Sequence, residues 1–186
     1  MKVLIVIPHV FHPQKGSLYS SQTEIKRDIK TRALYQATHG NLIRHGKKHF
    51  IHASLGKGKE VFTRELLTDQ GIDMKIQVYT QKKSTLAIDL DSDPRLELIY
   101  LEAEDLTQIP FFASRKLLEQ AFDYDIIGYM EDDILIEDYE FFNKLIYLDN
   151  KSTDNYAFLP HRVEYIPGTG DVILSGDPDG GRPDLF

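Results

Sequence analysis

Unbroken apolar runs and helix-spaced apolar positions alternate along the chain. Lys2–Pro8, KVLIVIP, is a Val- and Ile-rich run closed by proline, which predicts a strand buried on both faces, as in a parallel sheet. The next segment, HVFHPQKGSLYSS, has no period and carries Pro13 and Gly16, so it predicts a loop. Ile25, Ile29, Ala33 and Ala37 then recur every four residues along one predicted helix face, with Ser21 or Thr23 as N-cap and Gly40 or Gly46 near the end. HFIHAS predicts a short strand. GKGKEVFTRELLTDQG predicts a loop and then a short helix ending at Gly71.

The second half repeats the alternation. Met74–Gln81 and Arg95–Glu102 predict strands. Thr107–Phe122 predicts a helix that buries Ile109, Phe112, Leu117, Leu118 and Ala121. DIIGYM predicts another strand, and EDYEFFNKLIYL a helix with Phe141, Leu145 and Leu148 spaced for burial. NYAFLP and DVILS predict two further short strands, the latter inside a tail dense in Gly, Pro and Asp. Strands alternating with helices predict an α/β fold with a mostly parallel sheet.

Composition narrows the class. At 186 residues and 41% hydrophobic, the chain suits a single domain spanning 1–186 with a real core. No run reaches the ~18 apolar residues of a membrane span, and VLIVIP is too short for a secretory signal. A cytoplasmic protein is expected, with peripheral membrane contact left open. The absence of cysteine excludes disulfides, thiolate metal sites and cysteine nucleophiles. Charge is uneven: residues 1–83 hold 15 Lys/Arg and 6 Asp/Glu, residues 84–186 hold 7 and 23. A basic half beside an acidic half suits a site where a divalent metal meets an anionic ligand, or reflects two differently charged surfaces. IRHGKKHF is read as a solvated basic face rather than a nucleic-acid contact.

The densest chemistry lies at Glu131-Asp132-Asp133, between DIIGYM and Ile134-Leu135-Ile136. Ligands of open parallel sheets sit beyond the carboxyl ends of the strands, where this cluster falls. Alternation along an extended chain would point Glu131 and Asp133 to one side and Asp132 to the other. Two carboxylates on one side suit Mg²⁺ or Mn²⁺, with open positions for phosphates. The plainer reading is a set of acids near a helix N-terminus. Glu137 and Asp138, however, already stand at that helix start.

ASRKLLEQAFDYDIIGYMEDDILIEDYEFFNKL resembles the central segment of GT-A glycosyltransferases, in which a helix leads into an apolar strand that ends in a DxD-type acidic motif. KVLIVIP also looks like that family's first strand. The resemblance implies a Rossmann-like, three-layer α/β/α domain and a metal-dependent transfer of sugar from a nucleotide-diphosphate-sugar donor. The acceptor, whether carbohydrate, lipid or protein, is unspecified. It implies that Glu131 and Asp133 hold the Mn²⁺ or Mg²⁺, and that Asp132 lies near the sugar or ribose. It further implies that Pro8 and His9 fall at the base or ribose end of the pocket, and that Arg115 contacts nucleotide or sugar. The chain departs from the family in three ways. The first acid is Glu, HVFHPQ replaces the usual segment after strand one, and 53 residues follow Asp133, short of the usual acceptor region. Within them, His161 and Glu164 in AFLPHRVEY are the candidates for catalytic base or metal contact, beside the reading of an ordinary polar strand end. The alternative function is a truncated or inactive nucleotide-sugar-binding module.

Other motifs are weaker. Asp89, Asp91 and Asp93 in IDLDSDP resemble the nucleophile motif of haloacid-dehalogenase-type phosphatases, but an acidic turn before Pro94 is the simpler reading. No Gly-x-x-x-x-Gly-Lys-Ser/Thr loop supports an ATPase. His39, His45, His49 and His52 form no His-Glu-x-x-His pair, and loop or surface histidines are expected.

Overall fold

A Val/Ile-rich strand with no polar position between its ends must be sheltered on both faces, and β1 (Lys2–Pro8) is. The computed structural model describes residues 1–13, 23–55, 61–70, 72–87, 90, 93–152, 160, 162–165, 168–170 and 172–175. After β1 comes a continuous helical stretch: a 3₁₀ turn (Glu24–Lys26), α1 (Arg27–Tyr35), a π turn (Gln36–Gly40) and α2 (Asn41–His45). An antiparallel pair follows, β2 (Lys48–Leu55) with β3 (Val61–Gln70). Then come β4 (Asp73–Thr80), β5 (Leu96–Tyr100), α3 (Ile109–Glu119), β6 (Ile126–Tyr129), α4 (Phe141–Asp149), β7 (Arg162–Tyr165) and β8 (Val172–Ser175). The chain groups into two compact units, Met1–Glu137 and Asp138–Phe186.

The main sheet lies in the first unit, in the order β5-β4-β1-β6, with every neighbouring pair parallel. The chain therefore adds strands outward on one side of β1 and then returns to add β6 on the other. Ile5 of β1 stands opposite Ile76 and Gly128. A Cβ at Gly128 would come within 2.8 Å of Ile5 Cδ1, so the missing side chain makes room for the end of the Ile5 side chain. Val3 through Ile7 are each no more than 4% exposed. At roughly 1.5–3 kcal/mol per buried large apolar side chain, this strand anchors the core. Leu4 and Val6 pack with Tyr79 against Ile109, Ala113 and Leu117 of α3. Buried Gln77 locks the same helix through a reciprocal amide pair with Gln120, both hydrogen bonds 3.1 Å. An α/β fold with a parallel sheet is thus present. Among the described residues, no helix is long and apolar enough to cross a membrane.

Several expectations are corrected. Residues 61–70 form β3 rather than a short helix, because pairing with β2, though interrupted by register shifts near Phe50, gives the segment an interstrand ladder, whereas an isolated short helix is marginal in water. The helix of residues 24–45 does not bury the Ile25, Ile29 stripe, which is 94% and 65% exposed. Ala37 of the predicted face is buried, together with Leu34, Thr38, Asn41, Leu42 and His45, a face that is half polar. Phe112 and Leu118 of α3 are exposed, whereas Ala113 takes a core position. In α4, Phe142 is the buried residue, and the helix starts at Phe141 rather than Glu137. The predicted strand NYAFLP lies outside the described residues, apart from Pro160.

Arg95 and Asp93 fix the corner where β5 begins. Asp93 Oδ1 accepts from the Arg95 amide and Nε at 2.9 Å, and Oδ2 accepts from Nη2 at 2.6 Å. Arg95 Nη1 donates to the Lys47 carbonyl, 2.9 Å. Gly46 is required beside it, since a Cβ there would lie 2.7 Å from Nη1 and 2.6 Å from the Leu42 carbonyl oxygen. The Arg95 hydrogen bonds hold the Asp93 carboxyl below its ordinary range, against the opposing effect of burial. A depressed pKa contributes stability above the unfolded value, about 4, and loses it as pH falls through the folded value. Asp93→Asn is therefore expected to cost about 1–2 kcal/mol at neutral pH in urea unfolding. The gap to the parent should shrink as pH drops below about 4. A gap that stays constant into acid would show that the Asp93 charge contributes nothing.

Candidate functional site

The carboxyl ends of β1 and β6 lie side by side, and the acidic triplet sits at their junction. Beyond β6 the Met130 amide still donates to the Val6 carbonyl, 3.0 Å, so the pairing runs one residue further. The chain then turns, with a long hydrogen bond from the Ile134 amide to the Glu131 carbonyl, 3.4 Å. Because residues 131–133 are turned rather than extended, strand alternation does not apply. All three acids border one open cleft of about 340 Å³. Its remaining lining comes from Pro8 and Val10 after β1, Lys30 of α1, Tyr129 of β6 and Pro110 at the start of α3.

Each acid has its own surroundings. Asp132 Oδ2 lies 2.6 Å from Nδ1 of His9, which is 1% exposed. The opposite ring nitrogen, Nε2, accepts the Leu86 amide proton at 3.0 Å. Asp133 Oδ2 pairs with Lys30 Nζ at 3.3 Å, both side chains partly covered. Glu131 stands near Tyr129, whose phenol is pushed up first by burial and then by the Glu131 charge.

The apolar triplet after the acids is half-buried and fastened by polar side chains. Asn41, fully buried, donates from Nδ2 to the Ile134 carbonyl (3.1 Å) and accepts the Ile136 amide on Oδ1 (2.9 Å). It thus meets the strap as a neighbouring strand would. His45 Nε2 donates to the Ile136 carbonyl at 3.0 Å, and Arg44 Nη1 reaches the carbonyl and carboxylate of Glu137 at 3.1 and 2.5 Å. Glu137 therefore pairs with α2 rather than capping α4. The one sequence signal for this clamp was the helical spacing of Thr38, Asn41 and His45, polar types that are ordinarily read as a solvated face.

The remaining predicted site residues fall elsewhere. Arg115 is on α3 with its side chain 78% exposed, pairs with Glu119 at 3.2 Å and does not line the cleft. Glu164 is on β7 in the second unit, 57% exposed and 3.7 Å from Arg162 Nε. His161, Asp89 and Asp91 lie outside the described residues. Asp93 is committed to Arg95. His39 stacks on Tyr35, ring centroids 4.6 Å apart. His49 and His52 lie on β2, where the side chains are outside the description. Among the described residues, no three His, Asp or Glu side chains converge as a ready-made metal cage. Glu131 and Asp133 nevertheless offer hard carboxylate oxygens at the cleft, the donor type that Mg²⁺ and Mn²⁺ take together with water and phosphate oxygens.

Comparison with family models, with curated proteins and with solved structures returned no match.

Asn41→Ala should leave the Ile134 carbonyl and Ile136 amide unsatisfied and cost about 2–4 kcal/mol. Hydrogen exchange at the Ile136 amide should accelerate beyond the change in global stability. Equal protection in the variant and the parent would show that Asn41 does not hold the strap.

Proposed function

We propose that the first unit binds a nucleotide-diphosphate sugar and that the protein is a metal-dependent glycosyltransferase with a three-layer, Rossmann-like GT-A domain. The observation that carries this reading is the position of the acidic turn. It lies beyond the carboxyl ends of β1 and β6, where the order β5-β4-β1-β6 reverses direction. Open parallel sheets bind ligands at such a reversal, because the loops of the two strands diverge and leave a crevice. Glu131 and Asp133 would hold the Mn²⁺ or Mg²⁺. When bound, such an ion neutralises charge on a diphosphate leaving group. Lys30 brings a second positive charge into the cleft, and the first turn of α3 enters at Pro110 with the positive end of its dipole. Pro8, Val10 and Tyr129 supply the less polar walls that a base or ribose needs.

One observation favours a second reading. Among the described residues lining the cleft, no acid or histidine is present besides Glu131, Asp132 and Asp133. That suits a module that binds the donor without turning it over.

Calorimetric titration of UDP and GDP in Mn²⁺, then in chelator, separates these readings from none. Metal-dependent binding is expected in the parent. Asp133→Ala should weaken it by at least ~100-fold, since loss of even an outer partner of a metal ligand costs about 10–100-fold. Undiminished binding in Asp133→Ala, or none in the folded parent, would overturn the donor-site reading. Sugar transfer or donor hydrolysis would exclude the non-catalytic module.

A further inference from the structure

We infer that His9 is a positioning residue, a buried neutral imidazole whose Nδ1–H orients Asp132 and thereby sets the acidic turn. The tautomer follows from the neighbours. A backbone amide can only donate, so the Leu86 N–H, 3.0 Å from Nε2, requires that nitrogen to accept. The single ring proton then sits on Nδ1, 2.6 Å from Asp132 Oδ2, as a charge-assisted hydrogen bond. The ring itself is held by the fold. His9 follows directly on β1, its own amide donates to the Tyr79 carbonyl at 2.8 Å, and its surface is 99% covered.

The turn needs such an anchor. Among the described residues, its own backbone closes through one 3.4 Å hydrogen bond, too long to fix three adjacent carboxylates that repel one another. With Oδ2 of Asp132 committed to His9, the acids on either side, Glu131 and Asp133, keep a fixed relation to the cleft. Leu86, His9 and Asp132 thus link the loops that follow β4, β1 and β6 into one chain of hydrogen bonds. Both ring nitrogens are engaged in it. His9 therefore acts through Asp132 and makes no direct polar contact with a ligand. The consequence for metal affinity rests on the donor-site reading above; the tautomer and the ordering of the turn do not.

The first test uses the unmodified chain. Nitrogen-15 NMR of the His9 ring at neutral pH should show Nδ1 protonated and Nε2 bare. An Nε2–H ring would overturn the inference. The second test compares His9→Phe, which removes both contacts, with His9→Asn, whose amide nitrogen can stand near the Nδ1 position. Mn²⁺ affinity, read by electron paramagnetic resonance without nucleotide, should fall about 10–100-fold in His9→Phe and largely recover in His9→Asn. Wild-type affinity in His9→Phe would overturn the positioning role. If the parent itself does not take up Mn²⁺, the donor-site reading fails, and amide exchange across Asp132–Ile134 decides the positioning role instead. Faster exchange in His9→Phe, restored in His9→Asn, supports it; unchanged exchange sinks it.

Discussion

The confinement of β1 is the constraint on which the rest depends. Both of its backbone edges are engaged, by β4 on one side and β6 on the other, and both faces are covered. A strand so held cannot slide by one residue without turning its whole side-chain set over. The place where it ends is therefore fixed to within one residue. His9 is deep because it comes immediately after that end, still tied to β4 through its amide. The neighbouring end of β6 is set by the same register, and the two ends together define the mouth of the cleft.

Polar side chains inside the first unit do a job that apolar packing cannot. Three carboxylates in sequence repel one another, and at a separation of roughly 6 Å two unit charges would do so by about 0.7 kcal/mol in water and roughly 3 kcal/mol at an effective dielectric constant of 20. The fold offsets this one acid at a time: a neutral histidine donates to Asp132, and an ammonium faces Asp133. Beyond the acids, Asn41 and His45 complete the backbone of a segment that joins no sheet. The apolar triplet Ile134-Leu135-Ile136 is thereby kept against helical residues while the acids before it stay at the cleft.

Much of the sheet was legible in the sequence, and the reasons are local. KVLIVIP has one satisfactory environment, and its observed bounds coincide with the run. β4, β5 and β6 follow for similar reasons. β3 was not legible, because the Leu66-Leu67 pair fits a helical pattern and only the partner strand β2 decides otherwise. The acids were visible at a strand end, but their arrangement was not. Their partners Lys30 and His9 lie 103 and 123 positions away in sequence. The clamp at Asn41 was hidden for a different reason: a buried amide and a solvated one look alike until the backbone they satisfy is known.

The π turn at Gln36–Gly40 sets the angular phase of everything that follows it in the helix. In an α-helix each residue advances the azimuth by about 100°, and a π turn arises from one residue more than the regular turn holds. Winding the same residues as regular α-helix, with no wide turn at 36–40, would leave α1 as it is. It would also carry Asn41, Arg44 and His45 around the axis by roughly that angle, away from the strap they hold. The bulge is thus a phase-setting element: by absorbing one residue within a single wide turn, it governs whether the rim of the cleft is attached to the helix.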